Sequence, residues 1–568
     1  MKLVAQRLSL AATAWCAFLV APVASIISTA PRASNETECR KTTVAVLGAG
    51  VAGITAAQAL SNASISDFLI VERNDYIGGR VAHTNFGSRP DGTPYVVELG
   101  ANWVQGLGSE GGPENPIWTL AKKYGLNNTY SNYSSILTYD VTGASDYSDL
   151  FDTFEDAYAT AEQDAGYILT DNLQDASVRA GLSVAGWKPK KDMHAQALEW
   201  WEWDWETAWP PEQSGFLFGI TGYNLTFYQF SDENNFVWDQ RGFNAFVIGE
   251  AYEFLEENDP RVLLETVVKG ISYGPDGVTI HIDDGSCIEA QRQSLIPLYF
   301  DVQSYLNPSN MDKGYNDYAI ATFSVGVLQN DVVEFKPPLP RWKREAIEQF
   351  QMGTYTKIFL QFNETFWDKD TQFFLYADDK SRGYYPVWQS LSAPGFVEES
   401  NIIFVTVVDG QSYRVEQQSD EETKAEVMTV LRTMFPELEI PDPIAFMYPR
   451  WSTEEWAYGS YSNWPVGMTL EKHQNLRANV DRLWFAGEAT SAEYYGFLHG
   501  AWFEGRDVGM RIAGLLGQGG NHECDGNSTV GCGSMVDYEV LHGSTFIDEY
   551  NVDNGWSASS FLTYGYDA

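Results

Sequence analysis

The sequence predicts an α/β fold in which parallel strands alternate with helices, and three observations predict it. An apolar strand runs into a turn with glycines at Gly48, Gly50 and Gly53, and an apolar helix follows that turn. A second apolar strand ends at the acid Glu72. Near the other end of the chain, a third apolar strand at 483–486 meets a Gly-acid turn that leads into another helix.

The glycine-rich turn has the spacing of a dinucleotide-binding motif. Gly48 permits a tight turn, Gly50 lets the backbone approach a pyrophosphate, and Gly53 allows the helix to pack closely on the sheet. The helix N-terminus faces the phosphates, and Glu72 follows about 20 residues on, where a carboxylate binds a ribose hydroxyl. An ordinary glycine-rich turn is the alternative. The strand, the helix and the acid together predict a Rossmann-like domain.

Two further elements favour FAD over NAD as the dinucleotide. Gly78, Gly79 and Arg80 follow the ribose acid, and they suit a second backbone approach to phosphate with a guanidinium to pair with it. Many flavoproteins carry this element. At the other end of the chain, Glu488 lies in the Gly-acid turn, and a helix is expected to begin near Gly500. Such a turn and helix N-terminus can hold a second phosphate or the ribityl chain.

These terminal motifs together resemble the FAD-dependent amine oxidases, and in detail the secreted plant-type polyamine oxidases, from about Thr43 to Leu516. The resemblance implies a fold of amine-oxidase type, in which a Rossmann-like FAD-binding domain of three discontinuous segments is interleaved with an α+β substrate-binding domain. The FAD-binding segments are expected at 42–115, 236–330 and 466–517, and the substrate-binding domain at 116–235 and 335–465. Residues 518–568 are expected to form a C-terminal tail.

Residues 291–316 are an atypical insertion, because the family pattern does not need them. They interrupt an expected strand pair between Val278 and Phe323. The segment is either a surface excursion or a defect of the gene model that would damage the FAD-binding fold.

By resemblance, Lys357 is the active-site lysine, which holds a water next to the reactive nitrogen of the flavin. It lies in a segment, residues 350–360, that resembles the strand carrying this lysine in the family. The alternative is a surface lysine on an amphipathic strand. The resemblance also places Trp103 at the cofactor, Tyr355 at the substrate, and Tyr461 and Phe497 as an aromatic pair facing the flavin ring. His499, in the same segment as Phe497, is more typical of a hydrogen-bonded structural histidine than of a base.

Substrate recognition departs from the family. Gln105 stands where plant polyamine oxidases carry an acid, whereas a second acid of the family falls on Glu206. Glu206 lies in an aromatic run, residues 201–211, and aromatic faces with carboxylates suit a cationic amine on an alkyl chain. The alternative is a helix whose tryptophans belong to the core. Loss of the first carboxylate weakens the case for a polycationic substrate, but it leaves the redox chemistry unaffected.

The resemblance implies a secreted FAD-dependent amine oxidase, most similar to a polyamine oxidase. Such an enzyme uses oxygen to oxidise a carbon–nitrogen bond and yields an aldehyde, an amine and hydrogen peroxide. No cysteine lies in residues 451–467, where monoamine oxidases attach FAD, so non-covalent FAD is expected. Two alternatives stay open: an oxidase of another amine, such as a secondary-metabolite intermediate or an amino acid, and a flavin-binding protein without turnover. An amino-acid oxidase would need a cation for the substrate carboxylate, and no arginine is an obvious candidate.

Charge and length agree with a large enzyme. The 568 residues include 36 Lys and Arg against 77 Asp and Glu, for a net charge of -41. This excludes nucleic acid as a default partner, since binding phosphates needs clustered cations. The negative charge can concentrate cationic amines near the entrance, or it can simply keep a secreted protein soluble.

The first 25 residues are expected to be a signal peptide, because Lys2 and Arg7 precede an apolar run that ends in small residues. A retained signal anchor is the alternative, and no other run is long enough for a stable membrane span. Secreted, extracellular localisation is also supported by glycosylation sequons at Asn35, Asn62, Asn127, Asn132, Asn224, Asn363 and Asn527.

The cysteines favour an oxidising compartment. Cys524 and Cys532 bracket a short loop that a disulfide could close. Cys39 and Cys287 are far apart in sequence, and their pairing is open. No Cys or His cluster has metal-ligand spacing, so no metal site is expected.

Overall fold

Strands of several sheets alternate with helices along the chain. The structure is a computed structural model that describes residues 39–170, 173–290, 317–517, 537–541, 545 and 549–550. In these residues the strands are β1 (Arg40–Thr42), β2 (Val44–Leu47), β3 (Phe68–Val71), β4 (His83–Phe86), β5 (Tyr95–Glu98), β6 (Trp103–Gln105), β7 (Asn128–Tyr130), β8 (Ile136–Asp140), β9 (Gly143–Ala144), β10 (Asn234–Val237), β11 (Val262–Leu263), β12 (Val268–Gly274), β13 (Gly277–Ile282), β14 (Cys287–Ala290), β15 (Tyr318–Ala321), β16 (Glu334–Lys336), β17 (Gln351–Gly353), β18 (Tyr355–Gln361), β19 (Phe373–Ala377), β20 (Val387–Ser390), β21 (Ile402–Val408), β22 (Ala445–Met447), β23 (Tyr461–Asn463) and β24 (Leu483–Phe485).

The helices of the same residues include one π-helix, Trp200–Asp204, and a 3-10 turn at Glu488–Thr490. The α-helices are α1 (Val51–Asn62), α2 (Pro116–Lys123), α3 (Asp149–Thr170), α4 (Val178–Val184), α5 (Met193–Glu199), α6 (Trp205–Thr207), α7 (Phe216–Gln229), α8 (Ala245–Tyr252), α9 (Val325–Gln329), α10 (Arg341–Gln349), α11 (Asp409–Glu416), α12 (Asp420–Met434), α13 (Leu470–Arg477) and α14 (Leu498–Leu515).

A five-stranded parallel sheet, in the order β11-β3-β2-β15-β24, confirms the predicted α/β fold. Its strands β2, β3, β15 and β24 are buried along their whole length, as expected for a parallel sheet covered on both faces. The sheet takes strands from the ranges 42–115, 236–330 and 466–517. The chain therefore returns to this sheet twice after leaving it.

Helices α1 and α14 pack against each other through small residues. A Cβ atom on Gly505 would lie 2.2 Å from the carbonyl oxygen of Ala52, and one on Gly509 would lie 2.6 Å from that of Ala56. Only glycine permits this approach, because a side chain would require the helices to separate. The contact brings the helix that follows β24 directly against the helix of the glycine-rich turn.

A seven-stranded, mostly antiparallel sheet forms the second layer around the site. Its order is β22-β18-β21-β20-β19-β8-β9, and only β19 and β8 are parallel. Strand β18, which is second in this order, is buried at every residue and carries Tyr355 and Lys357. This sheet draws its strands from the ranges 116–235 and 335–465. A further five-stranded sheet, β1-β14-β13-β12-β16, contains a disulfide between Cys39 and Cys287, which settles the pairing that the sequence left open.

The expectation that 291–316 interrupts a strand pair is wrong. Strand β14, which ends at Ala290, pairs with β13 and β1, whereas β15, which begins at Tyr318, pairs with β2 and β24. The two strands that flank the insertion therefore belong to different sheets. Because β15 is hydrogen-bonded on both sides, the parallel sheet is continuous across this region.

Several predicted features lie outside the described residues. They are the signal peptide at 1–25, the insertion at 291–316, the sequons at Asn35 and Asn527, the Cys524–Cys532 disulfide and most of the tail at 518–568. One described part of the tail, residues 537–541, docks on α13 and the turn after it. The Leu541 N–H donates to Asn475 Oδ1 of α13 at 2.9 Å, and the Tyr538 N–H donates to Asn479 Oδ1 at 3.0 Å. Among the described helices, none is long and apolar enough to cross a membrane.

Candidate active site

A cavity of about 300 Å³ runs between the parallel sheet and the seven-stranded sheet. Residues from both layers line it, so its walls come from distant parts of the sequence. Nearly all the predicted cofactor and substrate residues line this cavity: Gly48, Gly50, Glu72, Arg80, Trp103, Gln105, Glu206, Tyr355, Lys357, Tyr461, Glu488 and Phe497. Gly53 lies behind the wall.

The three glycines of the turn are needed for different reasons. Gly48 has a φ of +123°, and a Cβ there would lie 2.2 Å from Thr322 Oγ1. A Cβ on Gly53 would lie 2.0 Å from the carbonyl oxygen of Gly48. Gly50 differs, because its Cβ would come no closer than 3.8 Å to any protein atom, at the Cα of Gly79. Packing therefore explains Gly48 and Gly53, whereas Gly50 keeps clear a space that suits a pyrophosphate.

Glu72 braces the turn from within the cavity wall. Its buried carboxylate accepts the N–H of Ala49 on one oxygen and that of Asn74 on the other, each at 2.8 Å. Burial raises the pKa of Glu72, and the backbone donors oppose that rise. Each carboxylate oxygen keeps a further lone pair for a ribose hydroxyl. Trp451, which also lines the cavity, has a buried indole N–H with no acceptor among the described residues, so it offers the cofactor a donor. These features fit FAD.

Arg80 and Glu488 contact each other, whereas the sequence suggested a separate contact of each with the cofactor. The Arg80 guanidinium donates to Glu488 Oε1 at 2.8 Å and to the Ser460 carbonyl at 2.9 Å. The other oxygen of Glu488 accepts the Gly496 N–H at 2.8 Å and the Ser462 hydroxyl. This pair ties the Gly-Gly-Arg element to the Gly-acid turn across 408 residues of sequence.

Lys357 is buried, so the surface-lysine alternative is wrong. Its Nζ donates to the Glu98 carbonyl at 3.1 Å, the Gly100 carbonyl at 2.8 Å and Asn102 Oδ1 at 2.6 Å. Burial lowers the pKa of Lys357 to about 7, although three acceptors match the three hydrogens of an ammonium. To hold a water by donating to it, as the resemblance implies, Lys357 must release one of these acceptors. That role stays a prediction.

Glu98 is a buried acid near Lys357 that sequence reasoning missed. One carboxyl oxygen accepts the Phe243 N–H at 2.7 Å, and the other has no partner in the part of the chain that the structure describes. Burial raises the pKa of Glu98 to about 8. A buried acid with a raised pKa therefore lies near a buried lysine of the cavity lining, whose pKa is lowered.

The aromatic run that contains Glu206 combines core packing with a cavity wall. Trp201 and Trp205 are buried, and their rings stack with centroids 4.7 Å apart. The π-helix precedes Glu206, and Ala208 ends the segment with a φ of +58°. π-Helical turns are often found at functional sites. Here the turn coincides with the point at which a carboxylate enters the cavity.

Glu206 is held by two contacts. Gln105 Nε2 donates to Glu206 Oε1, and the Tyr461 hydroxyl donates to the backbone carbonyl of Glu206 at 2.7 Å. Burial raises the pKa of Glu206 to about 7, and the Gln105 amide opposes that rise. The carboxylate is therefore positioned, but no protein cation neutralises it within the described residues.

Arg382 anchors this segment and was missed from the sequence. Its guanidinium binds both oxygens of Asp204, each at 2.6 Å, and donates to Glu199 Oε1 at 3.0 Å. Asp204 ends the π-helix, and Glu199 immediately precedes it. No local signal could reveal this pair, because Arg382 lies 178 residues from Asp204.

Several other residues that line the cavity are aromatic. The rings of Tyr355 and Tyr461 have centroids 6.0 Å apart, and Trp103 packs edge-on against Trp205 at 5.5 Å. Phe497 stacks on His499, with centroids 5.1 Å apart.

His499 is a structural residue. Its Nε2 lies 3.0 Å from Thr226 Oγ1, its Nδ1 lies 3.3 Å from the Asn115 amide, and burial lowers its pKa to about 3. The expectation of a hydrogen-bonded histidine agrees with this geometry.

Among the described sequons, Asn224 is unsuited to a glycan. It is 5% exposed within α7, and its amide donates to Glu162. The remaining described sequons begin at exposed residues, namely Asn62, Asn127, Asn132 and Asn363. No group of three or more metal-ligating side chains occurs in the residues that the structure describes.

Known proteins are similar to this chain in sequence and in fold. The sequence matches the family of flavin containing amine oxidoreductases over residues 51–202 and 215–513. It is 37% identical over 488 residues to polyamine oxidase 1 of Zea mays, across 82% of this chain and 89% of that protein. It is 36% identical over 478 residues to polyamine oxidase 7 of Oryza sativa subsp. japonica, across 81% and 93% of the two chains.

A solved structure of putrescine oxidase bound to putrescine has the same fold, with a TM-score of 0.60 and 19% identity over 84% of this chain and 99% of that one. The chain belongs to the flavin containing amine oxidoreductases, which confirms the family resemblance. It is a FAD-dependent amine oxidase. Both cysteines of the described residues, Cys39 and Cys287, are in the disulfide and offer no thiol to the cofactor, in agreement with non-covalent FAD.

Proposed function

We propose that this enzyme is a secreted polyamine oxidase that uses oxygen and water to convert an amine into an aldehyde and a shorter amine, with hydrogen peroxide as the third product. The observation that carries the proposal is the Glu206 carboxylate, which enters the aromatic end of the cavity without a protein cation among the described residues. The similarity to polyamine oxidases of maize and rice supports the same substrate class.

The side chains around Glu206 suit an alkyl chain with a cationic nitrogen. The carboxylate binds an ammonium, while Tyr461, Tyr355 and Trp103 supply apolar surface and cation–π attraction. When Glu206 binds one ammonium of the substrate, the length of the alkyl chain sets how far the reacting nitrogen lies from that ammonium. FAD, when bound, supplies the two-electron oxidation of the amine, and oxygen returns the cofactor to its oxidised form. Lys357 is placed to hold or move a proton at Nζ, since burial brings its pKa near neutrality.

An amino-acid substrate is disfavoured by the cations that line the described cavity. Arg73 pairs with Glu455 at 2.7 Å, Arg80 pairs with Glu488 at 2.8 Å, and Lys357 donates to three protein acceptors. A substrate carboxylate at any of these three would have to displace a protein partner, and the fourth lining cation, Lys269, is exposed and lies near Glu455. A different amine remains the second candidate, and the neutral Gln105 beside Glu206 favours it.

The activity is tested by oxygen uptake and peroxide formation with spermine, spermidine, putrescine, a monoamine and an amino acid. We expect the polyamines or the diamine to give equal amounts of oxygen consumed and peroxide formed, with a raised KM in Glu206→Gln. Oxidation of the monoamine alone, or an unchanged KM in the variant, would contradict the proposal.

Secretion is part of the proposal and has its own support. The basic and apolar N-terminus, the exposed sequons and the Cys39–Cys287 disulfide all suit the secretory pathway. Expression of the full chain in a eukaryotic host tests it. We expect enzyme in the medium, with a mass that falls after deglycosylation. Retention of an unglycosylated chain in the cytosol would contradict secretion.

A further inference from the structure

Glu206 differs from the other carboxylates that line the described cavity. Glu72 accepts two backbone N–H groups, Glu455 accepts from Arg73, and Glu488 accepts from Arg80 and the Gly496 N–H. Glu206 has only the neutral amide of Gln105. The aromatic end of the cavity therefore provides one carboxylate that can neutralise a ligand cation.

Gln105 is fixed by its backbone as well as by its side chain. It ends β6, where it pairs with Asn234 of β10, and its carbonyl accepts the Asn115 amide at 2.9 Å. Because Nε2 donates to Glu206, its Oε1 remains as an acceptor for a ligand N–H or O–H. An amide can accept this bond, but it cannot neutralise a second ammonium.

We propose that the cavity selects amines that carry one cationic nitrogen besides the reacting one. This inference rests on the proposed amine oxidase function and names its substrate class. A third nitrogen must be neutral, as an amide is, because a second ammonium inside the cavity would be buried without a counter-charge. The preferred substrate is thus a diamine, or a longer amine whose remote nitrogen is acylated.

The experiment compares spermidine, which has two cationic nitrogens besides the reacting one, with N1-acetylspermidine, which has one. Initial rates of peroxide formation in alkaline buffer, where Glu206 is ionised, give kcat/KM for each. We expect the wild-type enzyme to favour the acetylated amine at least tenfold, a difference of about 1.4 kcal/mol. In Gln105→Glu, a second carboxylate joins Glu206, and we expect the ratio to fall by at least tenfold.

Gln105→Met is the matched control, because it removes the amide and adds no charge. It should keep the wild-type preference for the acetylated amine, although both KM values can rise. FAD absorbance and circular dichroism show whether each variant folds. If Gln105→Glu does not fold, the proposal is tested by the wild-type enzyme alone, through the ratio of kcat/KM for the acetylated amine to that for the free amine.

The outcomes separate two kinds of failure. A wild-type enzyme that favours spermidine, or a Gln105→Glu ratio equal to that of the wild type, would overturn the charge selection and leave the amine oxidase function standing. Oxidation of neither amine would overturn the proposed polyamine activity together with the selection that rests on it.

Discussion

Replacement of Arg382 by methionine tests whether the buried charges behind Glu206 control both stability and amine binding. The guanidinium contacts both oxygens of Asp204 and one of Glu199, and both acids are buried. Removing one partner of a buried ion pair usually costs about 3–5 kcal/mol, because the remaining charge is left without compensation. We expect a loss of that size in the free energy of unfolding of Arg382→Met.

The loss should depend on pH, because Asp204 titrates within the native state. Burial raises the pKa of Asp204 to about 7, and Arg382 opposes that rise, so the variant should have a still higher value. The pKa of an aspartic acid in the unfolded chain is about 4. When folding raises the pKa of an acid, the native state loses stability as the pH rises from the unfolded-state pKa to the folded-state pKa. The deficit of Arg382→Met should therefore be smaller near pH 5 than near pH 8.

Urea titration at the two pH values measures this deficit, and steady-state kinetics give the effect on KM for the preferred amine. Because Glu206 follows Asp204 by two residues, we expect KM to rise about tenfold, or about 1.4 kcal/mol. The double variant Arg382→Met/Asp204→Asn should recover part of the stability. Arg450→Met is the control, since its pair with Asp420 is largely exposed and worth about 0–1 kcal/mol. Equal losses in Arg382→Met and Arg450→Met would refute the reasoning.

Three further predictions concern the cofactor, the lysine and the disulfide. Gly50→Ala should keep the fold but lower FAD content, measured as the ratio of flavin to protein absorbance. Equal FAD content in Gly50→Ala and wild type would contradict the role of Gly50 at the cofactor. Gly53→Ala should unfold, because its Cβ would clash with Gly48. Lys357→Met should slow flavin reduction or reoxidation in stopped-flow experiments by about 10²-fold at unchanged FAD content; wild-type rates in both steps would rule out that role. Loss of the disulfide in Cys39→Ser should lower the free energy of unfolding by about 2–5 kcal/mol in urea titrations, and unfolding curves that match the wild type would contradict its contribution.

The features that could be predicted from sequence are those set by short stretches of chain. The spacing of the glycines and the acid Glu72 at the end of the next strand act within one strand-helix unit. Their geometry follows from local backbone needs, such as the positive φ of Gly48. The family resemblance then indicated the segments that meet at the cavity.

The features that sequence reasoning missed depend on distant pairs. Arg80 and Glu488 were each expected at the cofactor, but nothing in either segment shows that they pair with each other. Glu98 ends strand β5, and its burial near Lys357 of β18 depends on two sheets meeting. Asn224 is a sequon by spacing, but the folding of α7 buries it. In each case the deciding contact is made by a residue far along the chain.

The most direct test of the account is anaerobic addition of N1-acetylspermidine, spermidine or putrescine to the purified yellow enzyme, followed at about 450 nm, where oxidised flavin absorbs. The account predicts rapid bleaching by an amine with one cationic nitrogen besides the reacting one, and colour that returns when oxygen is admitted. A flavin that none of these amines bleaches would contradict the proposed polyamine oxidase.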